Sequence, residues 1–164
     1  MIKIGNVTLV GGGEPLPRNR AEAKRVLKSV AKVCGVKSVY FVRAKHTPHG
    51  GYYDHAHERI VVVEQEGKRK VPMYTVVWRF LHELTHHLHH EGGIFNAYYY
   101  KKVKLDDGTT RSYSDVDLRR AALRAERHAN QKACELAYEF FRLEITHAAY
   151  SKEYLQKNRP DIYS

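Results

Sequence analysis

An α+β fold is what this sequence predicts, and three observations carry it. Short apolar, β-branched runs and one helical pattern fill the first half, and two long helical patterns fill the second. With 43% hydrophobic residues in 164 positions, the chain can bury one core and reads as a single domain. No internal repeat or low-complexity segment divides it.

Residues 2–10 alternate loosely and read as one short strand, ended by Gly11-Gly12-Gly13. Pro17 opens a helix over about 18–34, with Val26, Leu27, Val30, Ala31 and Cys34 as its apolar stripe and Gly35 as its C-terminal stop. VKSVYFVR (36–43) and RIVVVEQ (59–65) read as strands; GGYY starts a short one between them. Pro72 begins a helix that runs to about His90 and stops at Gly92-Gly93. IFNAYYYKKVKL can pair as a strand, and DDGTTRSYS reads as turn. Ser114 or Asp115 caps the long final helix. The layout is therefore an N-terminal helix and strands over 1–71, a histidine-rich helix over 72–92, a connecting segment over 93–114, a C-terminal helix over 115–150 and a tail over 151–164.

No run of about 18 apolar residues exists, so a membrane span is not expected. The N-terminus lacks a basic start followed by an apolar stretch, which argues against a secretory signal and for a cytoplasmic protein. Cys34 and Cys134 lie in apolar helical contexts rather than in a CxxC pair, and are expected to be buried free thiols. Net charge +10 and pI 9.6 point toward a polyanionic partner, since charge governs association more than fold.

The chemistry concentrates in FLHELTHHLHH, residues 80–90. His82-Glu83-Leu84-Thr85-His86 has the HExxH pattern. On a helix, residues four apart lie about 40° round the axis and one turn above one another, so His82 and His86 can share one zinc ion. Glu83 projects on another radius, where it can reach a water and act as general base. Phe80, Leu81, Leu84 and Leu88 form the apolar stripe with the two histidines almost opposite, so this helix suits a sandwiched position. A straight helix carries His89 about 10 Å along the axis from His82, too far to share one ion easily, and leaves its role open. His87 and His90 read as surface.

A third ligand must then come from elsewhere. On the final helix, Leu118, Ala122, Ala125, Ala129, Ala133, Leu136 and Phe140 form an alanine-rich stripe, and Glu126 falls within it. A carboxylate there needs compensation, either by a metal or by water or an arginine at an edge. Glu135 points outward. Asn130, one turn after Glu126, can support a ligand histidine through its second ring nitrogen.

HELTHH together with AERHANQKACELA resembles the ImmA/IrrE-type metallopeptidases, relatives of the gluzincins, over roughly residues 50–140. Glu126, Ala129, Asn130 and Ala133 match that family's E-x-x-A-[ND]-x-x-A in order. The resemblance implies a minimal zincin-like domain, with a small mixed or antiparallel sheet on the HExxH helix. It implies one zinc ion held by His82, His86 and Glu126, with Glu83 as catalytic base. It also implies a protein or peptide substrate lying extended along RIVVVEQ as the sheet edge.

Other clusters have less specific readings. His46, His49, His55 and His57 surround a glycine-rich turn and offer either a second metal site or a solvated loop. Tyr98, Tyr99, Tyr100 and Tyr113 include candidates for oxyanion stabilisation, with packing as the default. His128 and His147 are expected to face solvent. Basic residues gather at 18–37, 67–70 and 101–104, either as solvated surface or as contacts to nucleic acid. The competing function is thus a basic nucleic-acid-associated protein whose zinc site is structural or vestigial, or a DNA-recruited peptidase similar to the SprT-like proteins.

Overall fold

The computed structural model describes residues 1–44, 50–95, 102–104, 107–112 and 114–145. Those residues form a small α+β fold of three helices and small sheets, one of them mixed. The readings placed on His46, His49, Tyr98, Tyr99, Tyr100, Tyr113, His147 and the tail fall outside the described residues.

The first segment is a hairpin rather than one strand. Strand β1 (Ile2–Ile4) pairs antiparallel with β2 (Val7–Leu9), and Gly5, at φ 57°, makes the turn. Helix α1 (Arg20–Val33) follows, its first turn capped by the Asn19 side chain, which accepts from Glu22 N at 3.1 Å. Ala23, Leu27 and Ala31 are its buried residues, so the buried face is centred on Leu27 with Val26 and Val30 only half-covered.

The main sheet contains β3 (Ser38–Arg43), β4 (Gly51–Asp54), β5 (Arg59–Glu66) and β6 (Arg69–Lys70), with β5 in the middle. β3 runs parallel to β5, whereas β4 and β6 pair with it antiparallel. The expectation that RIVVVEQ forms an edge is therefore wrong. Ile60, Val61, Val62 and Val63 are all buried, and an unbroken apolar run of this kind suits a strand covered on both faces and paired on both sides. Among the described residues the strands beside it, β3 and β4, are the edges.

Helix α2 (Met73–Gly92) lies across this sheet, and Gly93, in the left-handed region at φ 70°, ends it. The Ile4–Gly5 turn of the first hairpin presses against its last turn. A Cβ on Gly92 would meet Ile4 O at 2.6 Å, so the absence of a side chain is what lets the two backbones touch. Strands β7 (Lys102–Lys104) and β8 (Thr110–Ser112) form a second hairpin. Part of the segment read as turn is thus strand: Asp107 Oδ1 accepts from Thr109 N at 2.9 Å, closing a tight loop that leaves Thr110–Ser112 free to pair.

Helix α3 (Asp115–Phe141) is capped by Ser114, whose side chain accepts from Asp117 N, and ends at Arg142 in the left-handed conformation. It stops well short of residue 150. Val76, Val77, Phe80, Leu81, Leu84 and Leu88 of α2 belong to one core with Ile60 and Val62 of the sheet and Ala133, Leu136 and Ala137 of α3. Alanines at Ala125, Ala129 and Ala133 are fully buried, which lets α3 approach α2 closely. The expected sandwich of the central helix, sheet on one side and helix on the other, is what forms.

Candidate metal centre

Because the middle of α2 is covered on both sides, the polar residues of that stretch cannot escape to water. His82 and Glu83 are each 8% exposed, His86 is 4% exposed, and Glu126 of α3 is 3% exposed. Such groups need partners, and they find one another. His82 Nε2 lies 3.0 Å from Glu126 Oε2, and His86 Nε2 lies 3.3 Å from Glu126 Oε1. The two imidazole nitrogens face each other at 3.1 Å, with the rings edge to face. His82, His86 and Glu126 each offer a ligand atom, all within 4.8 Å of one another, a grouping close enough to hold a metal ion.

Helical spacing explains the histidine half of this group. His82 and His86 are stacked one turn apart, and the alanine stripe of α3 brings Glu126 against that turn. Trp78, one turn before His82, packs on the imidazole with ring centroids 5.5 Å apart. Thr85 satisfies its buried hydroxyl within the helix by donating to Leu81 O at 2.7 Å.

The electrostatics follow from the same contacts. Burial pushes the Glu126 carboxyl upward, but the adjacent His86 and His82 outweigh it and hold it well below the usual carboxylate range. Burial opposes the charged form of His82, yet Glu126, then Glu83 and Asn130, raise its pKa on balance. Asn130 is close enough to favour the charged form of His82, although no hydrogen bond closes on the buried His82 Nδ1. Glu83 sits just beside the group, its Oε1 3.9 Å from His82 Nε2.

The remaining histidines of α2 divide differently from expectation. His87 is not on the surface but fully buried. Its Nε2 faces Cys34 O at 2.8 Å and its Nδ1 faces Tyr53 Oη at 2.8 Å. A carbonyl only accepts, so Nε2 carries the proton and Nδ1 accepts from the tyrosine. Burial keeps this ring neutral by lowering its pKa. His87 thus ties α2 both to β4 and to the end of α1. The signal was in the sequence: Phe80, Leu84 and His87 stand at i, i+4 and i+7, on one face.

His89 is also fully buried and lies outside the three-donor group. Its Nε2 meets His128 Nδ1 at 2.8 Å, and Phe95 packs edge-on against its ring. Burial, with His86, His128 and His82 nearby, pushes its pKa down to about 2. His128 is correspondingly half-buried rather than solvent-facing, a partner that only the meeting of α2 and α3 supplies. His90 is half-buried, its ring 6.0 Å from that of His55. His57 pairs with Asp54 at 2.8 Å in the β4–β5 turn. Among the described residues, neither His55 nor His57 belongs to a metal-holding group; Glu58, His90 and Glu91 do approach one another, with Glu91 exposed to water.

Cys34 and Cys134 are free and half-buried, and burial raises both thiols. Among the described residues no helix is long and apolar enough to cross a membrane. Comparison with family models, with curated proteins and with solved structures finds no match for this chain.

Proposed function

We propose that the protein is a zinc-dependent metallopeptidase of zincin-like form, related to the ImmA/IrrE-type enzymes that its two motifs resemble. The observation that carries this reading is the convergence of His82 Nε2 and His86 Nε2, 3.1 Å apart, on the Glu126 carboxylate, whose Oε2 lies 3.0 Å from the first and whose Oε1 lies 3.3 Å from the second. A tetrahedral ion with bonds of about 2.0–2.1 Å needs donors about 3.3–3.4 Å apart, so this set fits zinc with a shift of a few tenths of an ångström. Two neutral nitrogens and one carboxylate also match the donor set of catalytic zinc sites, which keep a fourth position for water.

When bound, zinc supplies Lewis acidity, making water a better nucleophile at neutral pH and polarising a carbonyl oxygen. The chain supplies the rest. Glu83, on the same turn as His82 but not among the three donors, takes the proton from the attacking water and passes it to the departing amine nitrogen. Asn130 lies near enough to His82 to support it as a ligand, and Trp78 packs against the same ring. Of the two sheet edges, β3 and β4, the one tied to α2 through Tyr53 and His87 is β4, and it is the edge assigned to an extended peptide.

The test is a peptide library from denatured proteins, incubated with the zinc-loaded chain and read by mass spectrometry for new termini. Cleavage is expected with wild type and lost by about 10²–10⁴-fold in Glu83→Gln, the usual range for a general base. That variant should still bind one zinc. Cleavage that survives Glu83→Gln, or that proceeds fully in chelator, would overturn the assignment.

A further inference from the structure

Six basic side chains among the described residues pair with an acid. Arg20 and Lys24 meet Glu64, Lys37 meets Glu58, Arg59 meets Asp54, Arg79 meets Glu66 and Lys132 meets Glu135. The first half of α3 carries a denser basic cluster. Arg119, Arg120, Arg124 and Arg127 are all exposed, four arginines within nine residues. Among the described residues, Arg119, Arg120 and Arg124 form no ion pair, even though Asp115 and Asp117 stand in the same helix's first turn. Like charges four apart on a helix repel, and a face that serves only solubility relieves this by interleaving glutamates. Here none is interleaved on that face, because the one glutamate in the stretch, Glu126, is turned inward to the two histidines.

We infer that this arginine face of α3 is a docking surface for the phosphodiester backbone of a nucleic acid. Arg120, Arg124 and Arg127 stand at i, i+4 and i+7, within an arc of about 60° and along about 10 Å of helix. One strand of a duplex advances about 3.4 Å per phosphate, so that length faces about three phosphates. Guanidinium groups present forked donors that match phosphate oxygens, and the face carries arginine throughout with no lysine. The net charge of +10 draws such a polymer in from a distance, which an isolated acidic side chain on a peptide would exploit far less. The face lies about a third of a turn round α3 from Glu126, so a bound strand runs beside the metal group and leaves it open. This inference does not depend on the peptidase reading.

The experiment is fluorescence anisotropy of labelled 20-nucleotide DNA, single-stranded and duplex, with the full chain between 50 and 200 mM salt. It is repeated in chelator and with Glu83→Gln, where binding should be unchanged. Three arginine contacts predict a log–log salt slope of about −2.7 for duplex and about −2.1 for single strands. Arg120→Gln/Arg124→Gln should flatten the duplex slope by about 1.8 and weaken binding by roughly 60-fold at 0.1 M salt. All four positions are exposed, so the variant should melt like wild type. The α1 variant Arg25→Gln/Lys28→Gln removes the same charge elsewhere and should weaken binding much less. Equal weakening by both variants would reduce the effect to bulk charge and overturn the assignment. So would an α3 variant that binds like wild type, or displacement of the DNA by poly-glutamate at equal charge, which would make an acidic polypeptide the ligand.

Discussion

Replacing Glu126 by glutamine is the sharpest test of the metal group. Glutamine keeps the volume of a side chain that is only 3% exposed, so packing against the alanine stripe is retained. What is lost is a charged donor facing two imidazole nitrogens at 3.0 and 3.3 Å. Removing groups that merely support a ligand weakens metal binding by about 10–100-fold. Removing a direct donor should exceed that range, so a loss of at least about 100-fold, or about 2.8 kcal/mol, is expected. With zinc at about 1,000 times the wild-type Kd, binding stabilises the wild type by about 4.1 kcal/mol and the variant by about 1.4 kcal/mol. For a chain of this size, those values raise Tm by about 8–16 °C and about 3–6 °C respectively. Thermal melts with and without zinc read the shift, competition with a chromophoric chelator reads the affinity, and elemental analysis reads the stoichiometry. A variant that keeps one zinc with an affinity within about tenfold of wild type would place Glu126 among supporting groups and refute the three-donor reading.

Two further outcomes follow from the other buried histidines. His87→Phe leaves the Tyr53 hydroxyl and the Cys34 carbonyl without their imidazole partner. It should lower stability by about 2–3 kcal/mol in urea unfolding while leaving zinc stoichiometry intact; a change below about 0.5 kcal/mol would show that the ring ties nothing together. His89, with a folded pKa of about 2 against an ordinary value of 6.5, stays neutral while the unfolded chain takes up a proton. Its contribution is therefore complete above pH 6.5 and declines as the pH falls below that value. Between pH 7 and pH 5, the metal-free wild type should lose about 2 kcal/mol relative to His89→Phe. Unfolding curves that keep a constant offset between the two proteins across that range would contradict a neutral buried ring.

What the sequence determined by itself is local and periodic. The spacing of His82 and His86 puts two imidazoles on one turn of any helix that forms there, and the cap at Ser114 marks where the last helix begins. The alanine stripe around Glu126 announced a buried carboxylate before any partner was known, because a charge on an otherwise small, apolar face has no solvent to return to. Tertiary structure alone decided which groups answer which needs. β5 is central rather than an edge because β3 pairs on one side of it, across an intervening strand, while its hairpin neighbour β4 holds the other. His87 and His89 sit four and three residues from Glu83 and His86 on the same helix, yet one is claimed by Tyr53 and the Cys34 carbonyl and the other by His128. A helical period fixes the direction in which a side chain leaves its own backbone. It carries no information about the element that arrives from elsewhere to meet it, and burial on both faces of α2 turns that arrival into the deciding term.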